Sequence, residues 1–280
     1  MTHTFGRINI IAVILLCALS IPFAQTEYEA RVQYFPKAEL KAVNTTGKEN
    51  TWAFILAGQS NMAGRGLVEV QDTLPSERIL TVNKKGELVI AKEPLHFYEP
   101  SRTGLDCGLS FAKELLRQIP DSINILLLPA AVGGSSVSQW LGDSIHRNVQ
   151  LLTNFKEKIQ IAKKFGVVKG ILWHQGENDA NTDDIPLYKK RLKELLAKFR
   201  TIAGNDRLPI FIGKLGSYSE TNALWQMINE QITLYARSDN NVFVVRTSDL
   251  TDNGDKVHFN SEGQRVLGQR FANEYIKNKR

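Results

Sequence analysis

Short apolar runs alternate with amphipathic stretches along most of the chain. Continuous apolar runs are typical of strands buried on both faces of a sheet, whereas apolar residues three and four apart indicate helices. Core strands are therefore predicted at 52–57, 123–128, 170–173, 209–215 and 242–245, and helices at 109–118, 151–165, 187–202, 222–237 and 261–277. This alternation predicts an α/β domain in which helices cover both faces of a mostly parallel, five-stranded sheet.

The segment 65–101 has no helical period. Two apolar runs, 79–82 and 88–90, flank the turn sequence Asn83-Lys84-Lys85-Gly86 and predict a β-hairpin. We expect this hairpin to be an insertion near the functional site, outside the main sheet. At the other end of the chain, Ser261 is predicted to cap the last helix.

The first 24 residues have the pattern of a secretory signal peptide. Arg7 precedes an apolar run at 8–19, and small residues lead to a predicted cleavage site after Ala24. The run is short for a membrane-spanning helix, so no membrane insertion is expected after cleavage. Residues 25–50 are predicted as a lead-in strand or linker, and 51–280 as one catalytic domain. We expect a periplasmic or secreted protein without an internal disulfide, because Cys107 would be its single cysteine.

Composition excludes several classes of function. Of the 280 residues 42% are hydrophobic and 23% charged, and the formal charge of +6 is scattered rather than gathered in a stripe with aromatic residues. Nucleic acid is therefore not an expected partner. The chain lacks Gly-x-Gly-x-x-Gly and Walker-type loops, and its His, Cys, Asp and Glu residues lack metal-ligand spacing, so neither a cofactor nor a metal is expected. The oligomeric state stays open.

A serine follows the first core strand in Gly58-Gln59-Ser60-Asn61-Met62. Open α/β sheets bind ligands beyond the carboxyl ends of their strands, which is where this serine leaves the sheet. Ser60 is therefore predicted to be a nucleophile. A serine in this position is also a common helix N-cap, and the pentapeptide alone does not decide between the two.

A serine nucleophile needs a base, and the base needs an acid that fixes its tautomer. His258 is predicted as the base and Asp255, three residues earlier, as the acid. Asp249 and Asp252 are rival acids without this spacing. His174 is a rival base, but it follows a buried strand and is expected to lie in the interior and position its loop.

Acyl transfer places negative charge on the former carbonyl oxygen, so the site needs hydrogen-bond donors there. The predicted donors are the N–H groups of Ser60 and Gly134 and the side-chain amide of Gln175. Glu177 is predicted to support the Gln175 loop or to bind sugar hydroxyls.

Four aromatic residues stand in loops near these motifs. His96 and His146 lack a paired carboxylate motif and are expected at the surface or against substrate. Tyr98 and Trp140 could stack on sugar rings, or belong to the core.

Four motifs together resemble the SGNH-type sialate O-acetylesterase family, which is similar to the acetylxylan esterases of carbohydrate esterase family 6. They are Gly58-Gln59-Ser60-Asn61-Met62, Gly133-Gly134-Ser135, Trp173-His174-Gln175-Gly176-Glu177 and Asp255-x-x-His258. The resemblance runs from about Trp52 to Tyr275. It implies a three-layer α/β/α, flavodoxin-like SGNH hydrolase fold and a metal-independent esterase acting on acetylated oligo- or polysaccharides.

By position, the resemblance makes Ser60 the nucleophile, His258 the base and Asp255 the acid that orients it. It also places Gly134 and Gln175 at the oxyanion hole, next to the Ser60 N–H. Gln59, Asn61 and Glu177 fall in the same motifs and are given supporting roles.

The chain departs from the family pattern at three points. Gln175-Gly176-Glu177 replaces the Gly-x-Asn-Asp block of the wider SGNH superfamily, so the resemblance makes the amide donor Gln rather than Asn. Asn178 stands where Ser is common, and Asp106-Cys107-Gly108 where Gly-Pro-Gly is expected. The competing α/β-hydrolase fold needs Gly-x-Ser-x-Gly, whose last position is Met62 here. The alternative function is a non-catalytic carbohydrate-binding module on the same fold.

Overall fold

The computed structural model describes residues 30–42, 47–99 and 102–279. The predicted signal peptide lies outside the described residues. Within these ranges, no helix combines the length and the apolar character that crossing a membrane requires.

The strands of the described chain form a main sheet and a small hairpin. They are β1 (Thr51–Gly58), β2 (Ile79–Val82), β3 (Leu88–Ile90), β4 (Asn124–Pro129), β5 (Ile145–His146), β6 (Val149–Gln150), β7 (Val167–His174), β8 (Ile210–Gly213) and β9 (Val242–Val245). The main sheet has the order β3-β2-β4-β1-β7-β8-β9, and β5 pairs with β6 alone. Every neighbouring pair in the main sheet is parallel except β2 and β3.

The predicted parallel architecture is confirmed, and the five predicted strands occur in the order β4-β1-β7-β8-β9. This is the flavodoxin-like order, with its switch point beside β1. The predicted strand count is wrong, because the sheet has seven strands in the described ranges. Ile79 and Leu80 pair with Ile125 and Leu126 of β4, and both are buried. The hairpin therefore extends the sheet and is not a separate insertion.

The helices enclose the sheet from both sides. They are α1 (Ser60–Ala63), α2 (Gly108–Leu116), α3 (Val137–Leu141), α4 (Leu151–Phe165), α5 (Ile185–Ala203), α6 (Asn222–Ala236) and α7 (Ser261–Asn278). Short 3₁₀ turns occupy Lys48–Asn50, Val70–Thr73 and Glu177–Asp179. The five predicted helices are confirmed, with ends within two residues of those expected. Helices α3 to α6 pack on one face, and α2 and α7 on the other.

Strand β1 is buried on both faces, because its side chains alternate between two apolar clusters. Ala53 and Ile55 belong to the cluster beneath α4 and α5. Phe54 belongs to the other cluster, where its ring meets Phe111 of α2 edge-on at 4.8 Å. Trp140 is fully buried against Trp173 at 5.5 Å, so of its two predicted alternatives the place in the core is the one that the structure shows.

The end of β1 turns the chain out of the sheet at a point where only glycine fits. Gly58 has φ of 135°, and a Cβ added there would lie 2.0 Å from the carbonyl oxygen of His174 on β7. The Gln59 N–H donates to that same oxygen at 2.9 Å. This close approach fixes the direction in which Ser60 leaves the sheet.

Helix α7 begins with a different cap from the predicted one. The Asn260 side chain, on an extended backbone, accepts from the Gly263 N–H at 2.8 Å. Ser261 is the first helical residue, and its hydroxyl donates to the Leu67 carbonyl at 2.7 Å. The prediction of Ser261 as the cap is wrong by one residue.

Candidate active site

Three predicted residues from two distant parts of the chain are connected by hydrogen bonds. His258 Nε2 lies 2.9 Å from Ser60 Oγ, and His258 Nδ1 lies 2.6 Å from Asp255 Oδ2. A carboxylate only accepts, so the Nδ1 position carries the proton and Nε2 is free to accept from the serine hydroxyl. The three residues have the arrangement in which a histidine base can take the proton of a serine hydroxyl.

The loop before α7 is folded around the Asp255 carboxylate. Its Oδ1 accepts from the Val257 and His258 N–H groups at 2.8 Å each, while Oδ2 faces the imidazole. Partial burial pushes the pKa of Asp255 upward, but the hydrogen bonds from the His258 ring and from these N–H groups outweigh it and lower the pKa to about 2. Asp255 is therefore ionised at neutral pH.

The rival acids contact other groups. Asp249 pairs with Arg270 at 2.6 Å. The Oδ2 atom of Asp252 accepts from the Gly254 N–H at 2.9 Å and the Lys256 N–H at 2.7 Å. Asp252 therefore shapes the turn that presents Asp255.

Asn61 connects the serine turn to two other loops. This fully buried residue donates to Glu177 Oε1 at 2.6 Å and to the Val257 carbonyl at 3.1 Å, and it accepts from the Phe259 N–H at 2.9 Å. Its predicted supporting role thus has a structural basis, because it fixes the loop that carries Asp255 and His258.

His174 lies in the interior, as predicted. Its Nε2 hydrogen-bonds the Lys214 carbonyl at 2.9 Å, and its Nδ1 is 3.6 Å from Glu177 Oε1. Burial lowers the pKa of His174, so the ring is neutral at physiological pH. The geometry leaves His258 as the base within reach of the serine.

The Gln175 amide does not face the cavity in front of Ser60. Gln175 is fully buried, and its Nε2 group donates to Asp179 Oδ2 and lies 3.2 Å from both Gln59 Oε1 and the Ser135 carbonyl oxygen. Its Oε1 accepts from the Tyr188 hydroxyl at 3.2 Å. The sequence-based prediction of this amide as an oxyanion donor therefore has no support in its side-chain direction.

The cavity in front of Ser60 has a volume of about 280 Å³. Its lining residues are Gln59, Ser60, Arg65, Arg102, Gly134, Arg147, Glu177, Asn178, Val257 and His258. The Gln59 side chain is fixed through its Oε1 atom, which accepts from the Asn178 N–H at 3.3 Å and the Gly176 N–H at 3.4 Å.

Asn178 brings a second side-chain amide to the cavity wall, which was not predicted from the sequence. Its backbone is bonded to Gln59, and its exposed side chain lines the cavity. The signal was available, because Gly176-Glu177-Asn178-Asp179 itself has the Gly-x-Asn-Asp pattern.

The predicted backbone donors are also at the cavity. Neither the Ser60 N–H nor the Gly134 N–H has an acceptor among the described residues. The preceding Gly133 N–H donates to Glu99 Oε1 at 2.9 Å, which fixes the turn. A Cβ on Gly133 would lie 2.2 Å from Arg65 Nη2, so a larger residue there would have to displace the Arg65 guanidinium.

A buried carboxylate anchors two of the cavity arginines. Glu99 accepts from Arg65 at 2.9 Å and from Arg147 at 3.3 Å. Burial acts to raise the pKa of Glu99, but the charge and hydrogen bond of Arg65, the Gly133 N–H and the charge of Arg147 together outweigh it, and the pKa is lowered. The third arginine, Arg102, has no ion-pair partner in the described part of the chain.

The two other histidines of the described chain have different environments. His96 is fully buried, with Nδ1 at 3.1 Å from Asp106 Oδ2, and it does not line the cavity, so the prediction that it lies at the surface or against substrate is wrong. His146 is near the site, with Nε2 at 3.0 Å from the Gly133 carbonyl oxygen. Tyr98 is half-buried and donates to the Ala131 carbonyl at 2.6 Å. No group of three or more His, Cys, Asp or Glu residues within the described ranges could hold a metal ion.

Residues 50–277 match the model of the family described as carbohydrate esterase, sialic acid-specific acetylesterase. A probable carbohydrate esterase of Arabidopsis thaliana is 30% identical over 249 residues, which are 80% of this chain and 90% of that protein.

Solved structures agree with the fold. The X-ray structure of the Arabidopsis thaliana protein superposes with a TM-score of 0.72 at 26% identity, covering 82% of this chain and 99% of that one. The crystal structure of NanS gives 0.67 at 17% identity, with 84% and 98% coverage. A carbohydrate acetylesterase from Xanthomonas citri gives 0.60 at 18% identity, with 80% and 55% coverage. The family match spans the whole sheet and every motif at the cavity, and the chain therefore belongs to the carbohydrate esterase, sialic acid-specific acetylesterase family.

Proposed function

We propose that this protein is a serine esterase that removes O-acetyl groups from carbohydrates through an acetyl-enzyme intermediate. The observation that carries the proposal is the row Ser60–His258–Asp255, with separations of 2.9 and 2.6 Å at the mouth of a cavity. A binding module would have no need of an activated serine. Membership of a carbohydrate esterase family supports the same reaction class.

In the proposed reaction, Ser60 Oγ attacks the ester carbonyl carbon while its proton passes to His258 Nε2. The bond between the carbonyl carbon and the sugar oxygen then breaks, and His258 returns the proton to that oxygen. Water attacks the acetyl-enzyme next, giving its proton to His258, which protonates Ser60 as acetate leaves. Asp255 holds the imidazole in the required tautomer and stabilises its charged form throughout.

The negative charge of each tetrahedral intermediate needs donors that are already in place. We propose that the N–H groups of Ser60 and Gly134 and the side-chain amide of Asn178 supply them. The free N–H groups and the position of Asn178 on the cavity wall support this assignment. The Gln175 side-chain amide, whose N–H groups already have acceptors, instead holds the loop that carries Asn178.

The test is acetate release by the purified protein from acetylated xylan, O-acetylated sialoglycan and p-nitrophenyl acetate, with and without EDTA. We expect release that survives EDTA and is abolished in Ser60→Ala without loss of the fold. A folded Ser60→Ala protein with normal turnover would refute the serine mechanism. Binding of glycans without release of acetate from any substrate would favour the binding module.

We also propose that the protein is exported, on the basis of Arg7, the apolar run at 8–19 and Ala24. N-terminal sequencing of the protein from the periplasm or medium is expected to begin at Gln25. Recovery of the uncleaved chain from the cytoplasm would contradict export.

A further inference from the structure

Three ionisable side chains form a buried cluster that the proposed reaction does not use. They are Glu93, His96 and Asp106, all of them fully buried and none of them in the lining of the cavity. His96 Nδ1 lies 3.1 Å from Asp106 Oδ2, and Asp106 Oδ1 accepts from the Gly108 N–H at 2.6 Å at the start of α2. Asp106 belongs to the segment Asp106-Cys107-Gly108, where this chain departs from the family pattern.

The cluster contains acceptors that lack a donor. Within the described chain, the two carboxyl oxygens of Glu93 and the Nε2 atom of His96 make no hydrogen bond of good geometry. When His96 Nδ1 donates to Asp106, Nε2 can only accept. An ionised Glu93 adds two further acceptors, whereas a protonated Glu93 supplies an O–H donor. Because buried polar atoms without partners are costly, this arrangement favours the protonated acid.

The charged groups that face Glu93 also oppose its ionisation. Besides the His96 ring on Asp106, the titratable groups near it are the carboxylates of Asp106 and Asp72 and the thiol of Cys107. Asp72 is already paired with Arg265 at 2.7 Å. No lysine or arginine of the described chain forms an ion pair with Glu93, so an ionised Glu93 would be a buried charge without a counterion.

The pKa values in the cluster follow from this environment. Burial raises the pKa of Glu93 well above its usual range, and the charges of Asp106 and Asp72 act in the same direction. The N–H groups of Leu95 and Asp106 oppose this shift only in part. Burial likewise raises the pKa of the Cys107 thiol, which is therefore uncharged at neutral pH.

The loop that carries Glu93 continues to the turn with the proposed oxyanion donor. The Glu99 N–H donates to the His96 carbonyl at 3.1 Å. The Glu99 side chain accepts from the Gly133 N–H at 2.9 Å, directly before Gly134. The buried cluster therefore supports the Gly133–Gly134 turn through Glu99.

The other side of the cluster supports α1. The Gly104 N–H donates to the Gly64 carbonyl at 3.0 Å, and a Cβ on Gly64 would lie 2.8 Å from the backbone nitrogen of Asp106. Cys107 Sγ is 3.7 Å from Sδ of Met62 in α1. Because these contacts leave α1 little room, a shift of Asp106 would displace the helix of the proposed nucleophile.

We propose that Glu93 is a positioning residue of the esterase site and acts as an uncharged acid, whose proton keeps α1 and the Gly133–Gly134 turn in their reactive arrangement. The assignment rests on the proposed esterase function, and Glu93 acts on the reaction only through these two elements. Because both elements contact the transition state, loss of the donor at position 93 should lower kcat and leave KM nearly unchanged.

The proton on Glu93 can be measured without any substrate. Urea unfolding is followed between pH 7 and 9, above the pKa of about 6 of Asp179. The folded state keeps the Glu93 proton in this range and the unfolded state has lost it. The unfolding equilibrium constant of the wild type should therefore rise about tenfold per pH unit relative to that of Glu93→Gln, until Glu93 ionises in the folded state as well.

Glu194→Gln is the matched control for this titration. Glu194 is exposed on α5, so its variant should keep the wild-type slope. Equal pH dependence in the wild type and Glu93→Gln would overturn the proposal.

Kinetics of the variants then test the positioning role. Glu93→Gln is uncharged and keeps a donor, so kcat for p-nitrophenyl acetate at pH 7 should stay within about threefold of the wild type. Glu93→Met fills similar space without a donor and should lower kcat about tenfold or more at nearly unchanged KM. A loss in Glu93→Gln as large as that in Glu93→Met, or wild-type kcat in both, would overturn the proposal.

The two measurements separate this proposal from the proposed function. A wild type that releases no acetate would refute the esterase and with it the positioning role, while the urea titration would still decide whether Glu93 is protonated. Acetate release by the wild type together with equal pH dependence in Glu93→Gln would support the esterase and overturn the role of Glu93.

Discussion

The Asp255→Asn variant tests the proposed tautomer of the base with little change in shape. The asparagine carbonyl oxygen can replace Oδ1, which accepts from Val257 and His258 N–H groups at 2.8 Å. The loop should therefore keep its fold. The new NH₂ group would face His258 Nδ1 at the position of Oδ2, which is now 2.6 Å away. Because the amide donates, the ring must place its proton on Nε2, where it no longer accepts from Ser60.

The loss should be large because the wrong tautomer disables the base in both halves of the reaction. We expect kcat for p-nitrophenyl acetate to fall about 10³- to 10⁴-fold, which corresponds to about 4–5 kcal/mol of activation free energy. The assay is initial-rate release of p-nitrophenol, with the fold checked by circular dichroism and thermal unfolding.

Asp252→Asn is the matched control in the same loop. Among the described residues, Asp252 accepts from two backbone N–H groups, at 2.9 and 2.7 Å, and an asparagine oxygen can accept from both. We expect its kcat to stay within about threefold of the wild type. A folded Asp255→Asn protein within tenfold of wild-type kcat, or an equal loss in the control, would refute the role assigned to Asp255.

Three further predictions concern the residues that support the site. Burial raises the pKa of Asp179 from 3.8 to about 6, so the folded state binds a proton more tightly than the unfolded state does. The free energy of unfolding should therefore fall by about 3 kcal/mol as the pH rises through these two pKa values. Asp179→Asn should abolish that slope in urea titrations between pH 4 and 7, and a wild-type slope in the variant would contradict it. Asn61→Ala leaves a buried carboxylate and a buried N–H unpaired. It should lower the free energy of unfolding by about 2–5 kcal/mol, and it should also lower kcat. Normal values of both would show that the contacts of Asn61 are dispensable. Asn178→Ala should lower kcat about 100-fold or more with little effect on thermal unfolding, and finding this profile in Gln175→Ala instead would return the oxyanion role to Gln175.

Sequence patterns were sufficient for the parts of the fold that local periodicity determines. The five core strands and the five main helices follow from runs of apolar residues, because each run is buried within its own element. The apolar runs at 79–82 and 88–90 predict the β2–β3 hairpin but do not show which other strand it pairs with. Its place depends on pairing between Ile79 and Ile125, which lie far apart in the chain.

The site residues also differ in whether local sequence or distant contacts determine their positions. Asp255 and His258 could be paired from their spacing, because one short loop carries both. The direction of the Gln175 side chain could not be predicted, since it depends on Asp179 and on Tyr188 of α5.

Arg147 had no local signal at all. Its approach to the cavity depends on the β5–β6 turn and on Glu99, forty-eight residues earlier in the chain.

Covalent labelling of the serine is the most direct test of the account. The purified protein is treated with a fluorophosphonate, digested and analysed by mass spectrometry, beside His258→Ala and Ser60→Ala. We expect a single adduct on Ser60, formed much more slowly in His258→Ala and absent from Ser60→Ala. A folded wild-type protein that takes up no label, or takes it up on another residue, would contradict the claim that His258 and Asp255 activate Ser60.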